Sequence, residues 1–141
     1  NVYQLRDLVQ ARIGRSSSPT MSVMFESFGY KHGIPIEADF LFDVRCLPNP
    51  HWEPRLRALT GKDAAVAHFL ESHNEVNRMF NEIKDFLESW LPDFAADKRS
   101  YMTIAIGCTG GQHRSVYFVE RLAEYFRDQQ HRVLTRHREL T

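Results

Sequence analysis

The segment from Gly107 to Ser115, which reads GCTGGQHRS, constrains the fold of this chain more than any other. It follows the short apolar run Tyr101 to Ile106, whose sequence YMTIAI is typical of a buried strand. It leads into Arg114 to Arg127, which carries an apolar stripe at helical spacing. A last strand is predicted over Arg132 to Arg138. Strand, helix and strand within this length form a right-handed βαβ unit, which predicts an α/β fold with a mostly parallel sheet and flanking helices.

The middle of the chain supplies the remaining elements. Met21 to Phe28 alternates weakly and predicts a strand, and Phe40 to Arg45 is a continuous apolar run that favours a buried strand. From Val66 to Leu91 the apolar residues follow helical spacing, as two helices or as one that is broken near His73. We expect Pro92 to end the last of these helices.

Composition indicates one compact domain. The 141 residues are 43% hydrophobic, and eighteen basic residues balance eighteen acidic ones, so any nucleic-acid surface must be a local patch. Two cysteines are too few for a disulfide scaffold, and the sequence shows neither a long apolar segment nor an export signal. We therefore expect a cytoplasmic domain with free thiols and no membrane contact.

The N-terminal region differs from the rest. The chain starts at Asn1 rather than at methionine, which suggests a piece of a longer protein. Val2 to Ile13 has the spacing of a short amphipathic helix, and Gly14 to Thr20, GRSSSPT, is typical of a linker. The sequence therefore predicts a linker region over residues 1–20 and a folded domain over residues 21–141.

The loop after Ile106 has the composition of an anion site. Such loops lie at the ligand-binding edge of a parallel sheet, beside helix N-termini with free N–H groups. Gly110 and Gly111 allow these groups to point inward as a nest, and the Arg114 guanidinium adds a fork that suits phosphate. The candidate ligand-binding residues of this loop are Cys108, Thr109, Gly110, Gly111, Gln112, His113, Arg114 and Ser115.

The same loop has the spacing of a second kind of site. Five residues separate Cys108 from Arg114, and Ser115 follows, as in the signature loop of tyrosine phosphatases, where a cysteine thiolate attacks phosphorus. That chemistry needs an aspartic acid to protonate the leaving group, and no second loop clearly offers one. Gly107 also replaces the histidine usual in those enzymes. We favour binding without catalysis, name no catalytic residue, and keep a cysteine-dependent phosphatase as the alternative.

Other loops offer further candidates for the same pocket. Arg45 ends the predicted strand over Phe40 to Arg45, and Asn49 and His51 lie in the polar, proline-stiffened loop after it. Lys31 and His32 lie in the turn after the first strand. Each of these residue types is also common in purely structural positions, so their ligand roles are hypotheses.

Some of these candidate ligand residues could instead bind zinc. Cys46 and His51 share the spacing of Cys108 and His113. The sequence has no close Cys-Cys or His-His pair of the familiar finger type. We therefore expect no metal.

The segment near the C-terminus is basic. Its candidate nucleic-acid contacts are His131, Arg132, Arg136, His137 and Arg138. On a strand, the three arginines would share one face, which suits the phosphate backbone of a nucleic acid. A solvated edge strand that its charges keep from aggregating explains the composition equally well.

Four motifs in order resemble one family. They are MFESFGYKHGIP (Met24 to Pro35), DVRCLPNPHW (Asp43 to Trp52), TGKD (Thr60 to Asp63) and GCTGGQHRSV (Gly107 to Val116). Together they resemble the C-terminal domain of the RapZ family, from about Met21 to the end of the chain. RapZ proteins are bacterial RNase adaptors that bind the small RNAs GlmY and GlmZ and present GlmZ to RNase E, which lowers synthesis of glucosamine-6-phosphate synthase.

This resemblance carries further expectations. It implies a fold like a phosphofructokinase subdomain, in a domain that senses glucosamine-6-phosphate and binds RNA as part of a homotetramer. The implied sugar-phosphate pocket uses His51, Cys108, Thr109, Gly110, His113 and Arg114, with Lys31 and Arg45 beside it. The family's Walker A loop belongs to its N-terminal half and has no counterpart here, so the resemblance implies no nucleotide cofactor in this domain.

Overall fold

The structure is a computed structural model that describes residues 21–129 and 131–140. The helix predicted over Val2 to Ile13 and the linker after it lie outside the described residues. Four strands, β1 (Ser22–Gly29), β2 (Phe40–Asp43), β3 (Tyr101–Cys108) and β4 (Arg132–His137), form one sheet in the order β2-β3-β1-β4. Every pairing in this sheet is parallel, which confirms the predicted α/β fold.

Helices cover one face of the sheet. Helices α1 (Ala64–Glu71) and α2 (Asn74–Ala96) connect β2 to β3, and α3 (Arg114–Asp128) connects β3 to β4. Both crossovers step in the same direction along the sheet, and right-handed connections then place their helices on the same side. The Phe25 ring of β1 stacks on Phe126 of α3, with centroids 5.8 Å apart. None of the helices in the described ranges is long and apolar enough to cross a lipid bilayer.

Among the described residues, the connection from β1 to β2 covers only part of the opposite face. In this connection Glu37 accepts a hydrogen bond from Arg136 of β4 at 3.3 Å, and Asp39 accepts one from the backbone N–H of Thr103 on β3 at 2.8 Å. Leu134 on this face is 49% exposed. The sheet therefore separates a helix-covered core from a sparsely covered face that carries arginines of β4.

Strand β2 is an edge strand, so the predicted burial of the whole Phe40 to Arg45 run was wrong. The rings of Phe40 and Phe42 pack edge-on against Phe86 of α2, with centroids 5.3 and 5.9 Å away. Leu41 and Asp43 point to the other side and are exposed. A continuous apolar run usually indicates burial on both faces, but none of the helices within residues 21–129 covers the second face of β2.

Pro92 lies inside α2 and does not end it, contrary to the sequence prediction. The helix continues to Ala96 because Leu91 is buried and the Phe94 ring packs edge-on against Phe40 at 5.6 Å. A proline removes one helical hydrogen bond, and this packing outweighs that loss. The predicted break near His73 is confirmed, since α1 ends at Glu71 and α2 begins at Asn74.

Candidate anion-binding site

Three neighbouring strands end at one edge of the sheet and direct their loops into a common cavity. Gly29 at the end of β1 pairs with Cys108 at the end of β3, and Asp43 of β2 pairs with Gly107. The loop after β3 therefore lies in the middle, between the turn after β1 and the loop after β2. The cavity has a volume of about 550 Å³, a size typical of small-ligand sites.

The middle loop approaches β1 so closely that glycines are required. A Cβ atom on Gly29 would lie 2.6 Å from the carbonyl carbon of Gly110, and Gly111 has a φ of 75°. The backbone N–H groups of Gly110, Gly111, Gln112 and His113 donate to no other group in the described part of the chain. Helix α3 begins directly after them, so these groups are free to donate to an anion at a helix N-terminus.

Arg114, the first residue of α3, is buried and only 3% exposed. Its Nη1 donates to the backbone carbonyls of Arg45 at 2.7 Å and Leu47 at 3.0 Å. Its Nε is buried and has no hydrogen-bond partner within the described residues. A buried guanidinium without a matching anion is costly. Arg114 therefore anchors the loop after β2 and lines the cavity as a buried cation with no anionic partner among the described residues.

The Cys108 thiol is 2% exposed and is held by Ser115. It donates to the Ser115 hydroxyl at 3.2 Å and accepts from the Ser115 backbone N–H at 3.4 Å. The side chains of the described residues that line the cavity include no aspartate or glutamate. The lining thus supplies donors for an anion but no carboxylic acid that could protonate a leaving group.

Comparison with known proteins places the chain in a family. A profile of the RapZ C-terminal domain matches residues 21–141. The chain belongs to the RapZ family. Nucleotide-binding proteins of Thioalkalivibrio sulfidiphilus and Nitrosococcus oceani are each 56% identical to it, over 100% and 99% of this chain and 50% of either relative. One of Methylobacillus flagellatus is 62% identical over 84% of this chain and 42% of its own length. The chain therefore spans about half the length of the curated relatives it matches.

The RapZ domain brings most of the predicted ligand residues together. Those that line the cavity are Lys31, His51, Cys108, Thr109, Gly110, Gln112, His113 and Arg114. Gly111 instead closes the loop against β1, and Ser115 holds the thiol of Cys108. Arg45 lies outside the lining, because its guanidinium pairs with Asp43 at 2.7 Å and stacks 3.7 Å from the centroid of the Tyr30 ring. Its hydrogen bonds lower the pKa of Asp43.

The lining also contains His32 and Asn49, which the sequence analysis considered as candidates, and two residues that it missed, Trp52 and Arg57. Trp52 ends the short 3-10 helix Pro50–Trp52, and the Arg57 Nε donates to the His51 carbonyl at 2.9 Å. Trp52 is 74% exposed, which is unusual for so large an apolar ring. A tryptophan in a polar loop at the ligand-binding edge was the signal that could have identified it.

His113 does not provide a cation for the ligand. Its ring is 7% exposed, and Nε2 lies 3.2 Å from the Leu56 carbonyl, a contact that requires a proton on Nε2. Burial lowers the pKa of His113. The ring is therefore neutral near pH 7, and it packs the loop while its backbone N–H remains free.

The zinc alternative would need Cys46, His51, Cys108 and His113 around one ion. Cys46 is exposed, whereas Cys108 is buried and bonded to Ser115. Within residues 21–129 and 131–140, no group of three or more histidine, cysteine or carboxylate side chains could hold a metal. The described residues therefore do not form a Cys₂His₂ site.

The arginines of the basic strand are partly neutralised by one buried acid. The Arg136 Nε donates to Oε2 of Glu26 at 3.0 Å, and its Nη2 lies 3.3 Å from Glu37. The Arg138 Nε lies 3.8 Å from the same Glu26 oxygen. Glu26 is fully buried, and its Oε1 has no partner among the described residues. This cluster stabilises the edge of the sheet as well as carrying charge.

The other predicted nucleic-acid contacts differ in how accessible they are. The His137 Nε2 lies 2.6 Å from a carboxylate oxygen of Glu120. The His131 ring packs edge-on against Phe126 at 5.6 Å, and burial lowers its pKa. Arg132 is exposed. Arg132 therefore presents its charge to solvent more directly than either histidine.

Proposed function

We propose that this domain is a ligand-sensing, RNA-binding adaptor domain without catalytic turnover. The observation that supports this best is the set of free backbone N–H groups around the buried Arg114, which suits a phosphate. Membership of the RapZ family makes glucosamine-6-phosphate the first ligand to test. We further propose that the longer protein is a cytoplasmic homotetramer that binds GlmY and GlmZ and presents GlmZ to RNase E, and that this domain uses no cofactor.

Calorimetry with glucosamine-6-phosphate tests the ligand proposal directly. We expect saturable binding of this compound, weaker binding of inorganic phosphate and none of glucosamine, because the loop recognises the phosphate through charge-assisted hydrogen bonds. Equal binding of glucosamine would show that the loop is not the recognition element. Absence of binding by all three compounds would contradict the proposal.

The phosphatase alternative predicts a different result with the same protein. A chromogenic phosphate ester should release phosphate in a reaction that Cys108→Ser abolishes, because the thiolate would be the nucleophile. We expect no release above the buffer blank from either the wild type or Cys108→Ser. Turnover that depends on Cys108 would replace the adaptor proposal with an enzyme.

RNA binding should depend on phosphate contacts made by the exposed part of β4. We expect affinity for a short single-stranded RNA to fall steeply with salt, and Arg132→Ala to reduce the slope of log affinity against log salt by about 0.7, the value of one single-strand phosphate contact. Arg78→Ala, which removes an exposed arginine from α2, is the matched control. Equal slopes for the two variants would place the RNA surface elsewhere.

A further inference from the structure

The cavity has two parts with different chemistry. The loop after β3 and Arg114 offer donors sufficient for one phosphate. The rim, which we define as Lys31, Trp52 and Arg57, adds an aromatic face and two cations. A sugar monophosphate carries a single anionic group, so it leaves most of this rim unused.

Trp52 presents a solvent-exposed ring at the mouth of the cavity. Its backbone N–H donates to the Asn49 carbonyl at 3.2 Å, and buried Pro50 begins the same short helix. The His51 ring meets the Trp52 ring edge-on, with centroids 5.4 Å apart at 84°. At 74% exposure, most of the indole remains available to a ligand. A flat aromatic ligand would remove this apolar area from water.

The cations of the rim are held close to the ring and to the loop. The Arg57 Nε donates to the carbonyl of His51, the residue before Trp52, and the side chain is otherwise exposed. The Lys31 backbone N–H donates to the Thr109 carbonyl at 3.2 Å, which ties the turn after β1 to the loop after β3. With no carboxylate in the described lining, the cavity favours a ligand that carries more than one anionic group.

We propose that the rim is a subsite for one nucleotide of single-stranded RNA. The base stacks on Trp52, its 5′ phosphate occupies the loop after β3, and its 3′ phosphate lies against Arg57. The inference rests on the proposed function, because it requires the loop to hold a phosphate. The base must be unpaired to reach a lone ring, as in other proteins that bind single-stranded RNA through aromatic side chains.

Three small probes separate the parts of this subsite. In a Trp90→Phe background Trp52 is the only tryptophan of the chain, so its fluorescence reports on the rim alone. We expect AMP to quench this fluorescence. AMP should also bind about tenfold more tightly than ribose 5-phosphate, because stacking of a base on an aromatic ring increases affinity by about that factor. Adenosine 3′,5′-bisphosphate should bind more tightly than AMP. Glucosamine-6-phosphate should displace both nucleotides.

Variants then show which residue causes each increase in affinity. Trp52→Ala should remove the advantage of AMP over ribose 5-phosphate, and Trp52→Phe should keep most of it. Arg57→Ala should remove the advantage of the bisphosphate, whereas Arg55→Ala, an exposed neighbour outside the lining, should not. A single-stranded hexauridylate should quench Trp52, and the same strand within a duplex should not.

The outcomes that overturn this inference are distinct from those that overturn the proposed function. Equal affinity for AMP and ribose 5-phosphate would remove the base subsite and leave the phosphate loop intact. If Trp52→Ala weakens glucosamine-6-phosphate as much as AMP, the ring stacks on the sugar and the RNA subsite is wrong. If neither ribose 5-phosphate nor glucosamine-6-phosphate binds, both proposals fail.

Discussion

Replacing Arg114 with alanine is expected to weaken glucosamine-6-phosphate binding by about 1.5–3 kcal/mol, the range of a hydrogen bond to a charged group. This corresponds to a roughly 10- to 150-fold increase in Kd. The reason is that Arg114 is a buried cation of the lining whose Nε has no partner among the described residues. Calorimetry on the purified variant measures the change. Arg114→Lys should recover only part of the loss, because an ammonium cannot reproduce the planar fork.

Arg45→Ala is the matched control for this experiment. Arg45 also follows β2 and is cationic, but it pairs with Asp43 outside the cavity lining, so we expect its loss to change the affinity little. Arg114 also binds two carbonyls of the loop after β2. The near-ultraviolet circular dichroism of the alanine variant must therefore show a folded domain. Unchanged affinity in a folded Arg114→Ala variant would place the ligand elsewhere.

The sequence predicted the parts of this domain that depend on local pattern. The strand, glycine loop and helix around Gly107 to Ser115 are continuous in sequence, so the local residue pattern predicts all three elements and their order. Parallel pairing follows from the strand-helix-strand order, and the meeting of three loops at one edge follows from parallel pairing. Lys31 and His51 accordingly line the cavity, although they are far from the loop in sequence, and their role in ligand binding stays a prediction.

The features that the sequence did not predict depend on contacts between distant segments. Arg136 and Glu26 are 110 residues apart, and neither residue type indicates which partner it will find. Arg45 was expected at the ligand, but nearby Asp43 and Tyr30 bind its side chain instead. β2 is partly exposed because it lies at an edge, a property of strand order that its own residues do not encode.

The pairing of Arg136 with Glu26 leads to the second large expected effect. Arg136→Ala should lower the free energy of unfolding by about 2–3 kcal/mol near pH 7.5. Breaking a buried ion pair usually costs about 3–5 kcal/mol, and the lower figure allows for the arginine side chain being 53% exposed. Urea unfolding of the variant and the wild type measures the difference.

The loss should depend on pH in a defined direction. Burial raises the pKa of Glu26, and the hydrogen bond and charge of Arg136 oppose that shift. Without Arg136 the folded-state pKa rises further above the unfolded value. Glu26 has the same pKa in both unfolded proteins, so the extra destabilisation grows as pH rises through the folded-state pKa of the wild type and shrinks toward acid pH. A loss that is equal at pH 5 and pH 7.5 would contradict this account.

A double variant separates the structural role of Arg136 from a role in RNA binding. Glu26→Gln combined with Arg136→Ala removes both charges, so we expect it to recover part of the stability and to lose the pH dependence of the single variant. In the double variant Arg138 lies near the glutamine side chain that replaces Glu26. In the wild type the Arg138 Nε is 3.8 Å from the Glu26 carboxylate. RNA affinity measured in this background reports on the charge of Arg136 without the strain of an unpaired Glu26. If the double variant binds RNA as Glu26→Gln does, Arg136 stabilises the sheet edge and the exposed Arg132 carries the phosphate contact on β4.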